Sequence, residues 1–276
     1  MPTINTNVAA IKARSNLEKV QRDLDQSIAR LSSGKRITRA HDDAAGSAIV
    51  GRMESQIRGL NMSIRNTKDG QSLVNTQEGA MQEITALLQR MRELAVQAAS
   101  GSISTTDKDY LQDENLQLQK EILAIGANTK FNDTNVLTGA AFKFYTDIDV
   151  AGTEITTVTA AMTVAKLGLS TTIISIGGGE TIAGIEDVIS VIDAAIGIVD
   201  NRRANLGAIS NRFDHVIDNL TNVVANTEAA RSRIEDADFS IETTQLTRNT
   251  ILQQAATSMV AQANASKNMI LALVQG

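Results

Sequence analysis

Cysteine is absent from the 276 residues, tryptophan is absent, and proline occurs once, at Pro2. Without cysteine there is no disulfide framework, no thiolate metal site and no thiol nucleophile. Without proline beyond position 2, no residue removes a backbone N–H from a helix interior, so very long helices are permitted. Aromatics make up 3% of the chain, five Phe and two Tyr. That leaves a thin core of Ala, Val, Leu and Ile and little of the bulk that lines substrate pockets. Two histidines, His41 and His215, are too few for a histidine-built metal centre. The net charge of −5 argues against nucleic acid as a partner, because such surfaces are usually basic. The longest unbroken apolar run, Met269 to Val274, is far shorter than a membrane span. The opening Met1-Pro2-Thr3-Ile4-Asn5 lacks the apolar stretch of a secretory signal.

Helical periodicity dominates what is present. Stepping by 4 and 3 from Ile185 passes through Ile189, Ile192, Ile196, Val199, Arg203, Leu206, Ser210, Phe213, Ile217, Leu220, Val224, Thr227 and Arg231 to Ile234. Eleven of these fifteen positions are apolar, which predicts one helix with coiled-coil-like packing, roughly 75 Å long. A second stripe runs through Ile57, Leu60, Ile64, Val74, Met81, Ile84, Leu88, Met91 and Ala95, with an apparent phase slip over 67–74 near Gly70. A third begins near Thr105-Thr106-Asp107 and passes Leu111, Leu118, Ile122 and Ile125 to Gly126, read as a C-cap. At the ends, Leu17, Val20, Leu24, Ser27 and Leu31 form one stripe, closed by Ser32-Ser33-Gly34. Leu252, Ala256, Met259, Ala263, Ser266, Ile270 and Leu273 form the other. Their small residues bury little area, so the terminal helices are expected to need further partners. Between 142 and 176 the chain is rich in Thr, Ile and Val, with alternation in Phe142-Lys143-Phe144 and Asp147-Ile148-Asp149-Val150, which predicts short strands. Gly177-Gly178-Gly179 then reads as a flexible exposed turn.

Several motifs in order carry a family resemblance. Leu31-Ser32-Ser33-Gly34-Lys35-Arg36-Ile37, Asp42-Asp43-Ala44-Ala45-Gly46 and Leu88 to Gln97 resemble the amino-terminal signature of bacterial flagellins. Phe131-Asn132 with Val136-Leu137 and Gly139 resembles the family's turn after its third helix. Asn226 to Phe239 and Gln254 to Met259 resemble the carboxy-terminal signature. The matches cover roughly 1–140 and 200–276. The stretch 141–184 shows none and is too short for the outer domains of larger flagellins.

The resemblance implies a mainly α fold: a coiled-coil-like helical rod with paired terminal helices and a small β-rich element in the middle. Residues 1–40 and 236–276 would be the filament-core helices, 41–140 and 181–235 the outer helical rod, and 141–180 the variable outer element. The implied function is the structural subunit of the flagellar filament, secreted unfolded through the type III-like flagellar export apparatus, with no enzymatic activity and no cofactor or metal. Polymer contacts fall on Leu17, Val20, Leu24, Leu31, Leu252, Ala256, Met259, Ala263, Ile270 and Leu273. The implied partners are further copies of the chain, the filament cap protein, the hook–filament junction protein and an export chaperone; neither nucleic acid nor membrane is among them. The segment from Gln89 also resembles the surface read by the flagellin-sensing Toll-like receptor of animal hosts. There Arg90, Glu93, Leu94 and Gln97 share a helix face, Leu94 is expected to be exposed, and Glu114 joins from the next helix; the same residues, with Gln89, are expected protofilament contacts, so that the face would be buried in polymer and readable in the monomer.

Other readings are open to the same residues. The hook–filament junction protein, related at both ends, is the alternative within the superfamily. A coiled-coil signalling or adhesion module explains the heptads but not the ordered motifs. An enzyme is the weakest reading, because no nucleophile, base and orienting group assemble by spacing. Asp42-Asp43 reads as a structural turn or capping pair rather than a metal site, and His41 and His215 as surface histidines. Glu235-Asp236-Ala237-Asp238 opposite Lys35, Arg36 and Arg39 reads as a solvated or cross-subunit charge cluster that sets register more than stability.

Overall fold

The computed structural model describes residues 6–146, 154–158, 162, 166–169 and 174–275, with side chains for all of these except Val158 and 267–275. Five helices, α1 (Val8–Ser33), α2 (Ala44–Ala98), α3 (Thr105–Asn128), α4 (Ile182–Glu235) and α5 (Phe239–Gln275), account for most of them. Two small antiparallel hairpins complete the described structure. β1 (Lys130–Phe131) pairs with β2 (Thr134–Asn135), and β3 (Ala141–Tyr145) with β4 (Glu154–Val158). The Asp147–Val150 alternation lies outside the described residues. The chain forms two compact units, Met1–Ile57 with Ala225–Gly276, and Arg58–Val224. The mainly α fold with a small β element is therefore as expected.

In the Arg58–Val224 unit, α4 follows its predicted stripe closely. Ile185, Ile192, Val199, Leu206, Phe213 and Leu220 are buried. The helix runs unbroken through Gly197 and Gly207. Helix α2 corrects the sequence reading. No phase slip exists: the buried seam continues from Leu60 through Ser63, Thr67, Gly70, Val74 and Gln77 to Met81, in steps of 3 and 4. The slip was an illusion of composition, because these seam positions are polar or small. Their polar groups are satisfied locally. Thr67 Oγ1 donates to the Ser63 carbonyl at 2.7 Å, and Gln77 Nε2 to the Val136 carbonyl at 3.0 Å. Gly70 leaves room for two rings, since a Cβ there would stand 3.0 Å from both Phe144 and Phe213.

Helix α3 starts from Ser104, whose Oγ accepts the Asp107 N–H. Its end is not capped by Gly126. The C-cap is Thr129, and Gly126 is required because a Cβ would collide with the Met162 carbonyl. One face of α3 is polar and serves the middle of the chain. Asp109 Oδ1 accepts from Gly178 N at 2.8 Å and Gln112 Oε1 from Ile176 N at 2.8 Å. Asn115 Nδ2 donates to the Ile174 carbonyl at 3.0 Å, and Gln119 Nε2 to that of Leu169. Irregular backbone next to a core must find partners, and α3 supplies them from side chains three and four residues apart. In consequence Ile155, Met162, Leu167, Leu169, Ile174 and Ile176 are core residues. These residues of 141–180 thus pack into the core of the chain. The glycine turn is corrected: Gly177 is buried and Gly178 packs on Thr105, while Gly179 is open.

In the other unit, α1 ends as predicted. Gly34 adopts φ 70°, where its N–H caps the Arg30 carbonyl. The following linker is tied to the α4–α5 junction: the Lys35 backbone forms an isolated antiparallel β-bridge with that of Asp236, Ala237 N donates to the Gly34 carbonyl at 2.9 Å, and Arg36 N to that of Glu235 at 2.6 Å. Lys35 Nζ also pairs with the Glu235 carboxylate. Within the chain the cluster thus closes one pair, Lys35 with the buried Glu235, while Arg39, Asp236 and Asp238 stay exposed. Asp43 Oδ1 accepts from Gly46 N at 2.8 Å at the start of α2, and Asp42 organises the turn before it. The capping reading of this pair holds, and both histidines are exposed.

Candidate functional site

The terminal helices α1 and α5 pack antiparallel along their length, and the contacts are thin. Leu17, Val20, Leu24 and Leu31 are only half-buried, and Ser27 is the one buried residue of α1. On α5 the stripe facing α1 is not quite the one read from the sequence. Glu242, Leu246, Asn249, Gln253, Ala256, Val260 and Ala263 are withdrawn from solvent at steps of 4 and 3. Ala256 and Ala263 belong to this seam, whereas Leu252 is 44% and Met259 63% exposed. The sequence stripe therefore mixes two faces. It misses the polar seam positions because apolar periodicity does not register Glu242, Asn249 or Gln253. Ile270 and Leu273 lie outside the described side chains.

Leu252 and Met259 line the groove at the edge of α1 yet stay largely exposed, as do Ile241 and Ile251, and on α1 Val8, Ile11 and Ile28 are exposed. Large apolar side chains repeated along bare helix faces mark association surfaces. Polar contacts hold the pair at three depths: Asn7 Nδ2 to the Ala263 carbonyl at 2.9 Å, Gln253 Nε2 to Gln21 Oε1 at 2.5 Å, and Arg30 to Glu242 at 2.9 Å.

The linker next to this pair is set by Asp42. Its Oδ2 accepts from Thr38 N at 3.1 Å, Thr38 Oγ1 at 2.9 Å and Arg39 N at 3.0 Å, and its Oδ1 from Gln26 Nε2 at 3.3 Å. The Thr38 hydroxyl above all holds the Asp42 carboxyl below its ordinary range. Burial opposes this, while the Arg39 and Thr38 N–H groups and the nearby His41 charge reinforce it.

The second predicted surface, on α2, is partly assembled. Gln89, Arg90, Glu93 and Gln97 are exposed, and Leu88, Met91 and Ala95 are buried, as expected. Arg90 lies 2.9 Å from Glu114 on α3 and 3.1 Å from Glu93. Hydrogen bonding to Glu114, then to Glu93, pushes the Arg90 guanidinium further toward its charged form. Leu94 is the exception: it is 1% exposed and belongs to the core, so it is not available beside Arg90. It sits one residue from Ala95, and on this helix the buried arc is wide enough to take both.

Among the described residues no cluster of three or more His, Asp or Glu could hold a metal ion, and no helix is long and apolar enough to cross a membrane. Long helices, with large apolar side chains left exposed on the terminal pair, define a mainly helical protein. Comparison with known proteins makes this specific. Residues 4–141 match the bacterial flagellin N-terminal helical region, and residues 189–274 the bacterial flagellin C-terminal helical region. Flagellin A of Vibrio cholerae is 33% identical over an alignment 376 positions long, covering 99% of each chain. Polar flagellin F of Vibrio parahaemolyticus is 32% identical over 379, with the same coverage. The crystal structure of Bacillus cereus flagellin is 34% identical, with a TM-score of 0.49, over 60% of this chain and 94% of that one. The chain belongs to the bacterial flagellin family, and its function is that of a structural subunit of the flagellar filament.

Proposed function

We propose that the chain polymerises through its terminal helix pair, after export in unfolded form, to build the core of the extracellular filament. The observation that carries this is the set of exposed apolar side chains on α5, Ile241, Ile251, Leu252 and Met259, on a helix whose seam is already engaged by α1. Such residues cost little in an isolated chain but gain area in a polymer that covers them. The cap protein, the hook–filament junction protein and an export chaperone are the partners proposed by family membership. Seeded polymerisation of the full chain, followed by electron microscopy, tests the central claim. Wild type should give long filaments. Leu252→Ser with Met259→Ser should give none while keeping the helical circular dichroism of the Arg58–Val224 unit. Normal filaments from the double variant would refute the assignment of that face.

A second reading concerns the α2 surface. The exposed Arg90–Glu93–Glu114 cluster supports recognition of the unassembled chain by a host Toll-like receptor. It offers an ordered, charge-assisted patch on a rigid helix. A receptor reporter assay with soluble chain, wild type against Arg90→Asp, tests it, and equal responses would dismiss it.

A further inference from the structure

The apolar side of the α1–α5 contact does not specify its own alignment. Leu17, Leu24 and Leu31 recur every seven residues on α1, and Ala256 and Ala263 do so on α5. A slip of one heptad sets leucine on leucine along α1 and alanine on alanine at 256 and 263, so this part of the seam leaves the register open, whereas the polar seam positions Asn249 and Gln253 break the repeat. The half-buried character of these residues makes the slip cheaper still. Something else must hold the two helices in one alignment.

The directional contacts do agree on one. Asn7 with Ala263, Gln21 with Gln253, Arg30 with Glu242, Gly34 with Ala237 and Lys35 with Asp236 all follow the same antiparallel correspondence, each step forward in α1 matching a step back in α5. They are concentrated at the Gly34 end. Arg30 and Glu242 are the most demanding pair among them. The Glu242 side chain is 5% exposed and that of Arg30 22%. Glu242 Oε2 and Arg30 Nε have no hydrogen-bond partner among the described residues. Neither charge therefore has a substitute if the other moves away. Each also suits its own helix end, Arg30 in the last turn of α1 and Glu242 in the first turn of α5, where the macrodipole favours those signs.

We propose that the Arg30–Glu242 pair, with the backbone β-bridge between Lys35 and Asp236 beside it, is the register clamp of the terminal helix pair. Arg30 and Glu242 act as positioning residues: they choose which alignment of α1 and α5 forms and contribute little to how strongly the helices associate. A slipped alignment leaves two partly buried charges unpaired, and that penalty, rather than apolar area, excludes it. The clamp operates within one chain and holds whether or not the bare face of α5 mediates polymerisation.

The absence of cysteine makes the test clean, because introduced thiols are the only ones. Asn16 and Ala256 line one groove between α1 and α5. Asn16→Cys with Ala256→Cys therefore reports the native register. Asn16→Cys with Ala263→Cys reports a position one heptad, roughly 10 Å, further along α5. The full chain is treated with a short bis-maleimide under salting-out conditions that favour helix association. Intrachain products run as single chains on a denaturing gel and interchain products as dimers, so failure to polymerise does not obscure the result. The native pair should dominate in the otherwise unsubstituted protein. Arg30→Glu alone, or Glu242→Arg alone, should lower the native-to-offset ratio at least about tenfold. Arg30→Glu combined with Glu242→Arg should restore it. Arg14→Gln, which removes an exposed pair with Glu18 on the same helix, should leave it unchanged. The proposal is overturned if the single variants keep the ratio, if the reversed pair fails to restore it, or if the unsubstituted protein shows no preference.

Discussion

The ring of Phe144 on β3 meets the ring of Phe213 on α4 edge-on, at 88° with centroids 5.9 Å apart, directly over Gly70 of α2. Three elements distant in sequence converge where one of them has no side chain. Gly70→Ala places a methyl at 3.0 Å from both rings. The helix-propensity gain of about 1 kcal/mol is then outweighed by overpacking, and a net loss of about 1 kcal/mol is expected. Gly79 in the same helix faces open space, and Gly79→Ala should instead stabilise by about 0.5–1 kcal/mol. Chemical denaturation of the two variants should shift in opposite directions; a shared direction would show that the notch is not required.

Asp42 gives a pH signature. Its folded pKa lies below that of the unfolded chain, so the folded state favours the carboxylate. The resulting stability is fully present above the unfolded pKa of about 3.9 and is lost as the pH falls through the lower folded value. Asp42→Asn should therefore be less stable than wild type at pH 6, by about 1–3 kcal/mol for the charge-assisted bonds. The difference should narrow below about pH 4. Hydrogen exchange at the Thr38 and Arg39 amides is the local readout. A gap that stayed constant down to pH 2 would rule out ionisation of Asp42 as its source.

Leu94 and Arg90 should separate cleanly. Leu94→Ala removes a core side chain and should cost about 2–5 kcal/mol in stability. Arg90→Asp changes an exposed position and should leave the unfolding transition close to that of wild type. Any loss of receptor response from Leu94→Ala should accordingly track its unfolding. If Leu94→Ala kept wild-type stability, its core assignment would be wrong.

The glycine turn after the middle segment should tolerate change at one residue and not at its neighbour. A Cβ on Gly178 would stand 2.6 Å from the Thr105 carbonyl, and its N–H is held by Asp109. Gly178→Ala should destabilise by about 1–3 kcal/mol. A short tag inserted after Gly179, which is exposed and open, should leave thermal unfolding within a few degrees of wild type. Equal effects at the two sites would show that the turn is not docked on α3.

The sequence by itself determined the helices and the family. A 3.5-residue apolar repeat without proline leaves little alternative to long helices, so α4 and the end of α1 at Gly34 were legible to within a few residues. The ordered motifs at both ends, read as flagellin-like, agree with the matched regions 4–141 and 189–274. What only the tertiary structure decided lies where the seam is polar or the backbone irregular. Ser63, Thr67, Gly70 and Gln77 continue the α2 seam, yet no hydrophobicity pattern can reveal them. Their burial is made tolerable by particular carbonyls such as Val136, far away in sequence. The same holds for Asn115 and Gln119, whose role exists only because the Ile174 and Leu169 carbonyls lie against α3. It holds also for Leu94 and Met259. Periodicity shows that a helix has an apolar arc, but which edge of that arc is covered depends on the neighbour's position. Packing geometry, not composition, places Leu94 inside and Met259 outside.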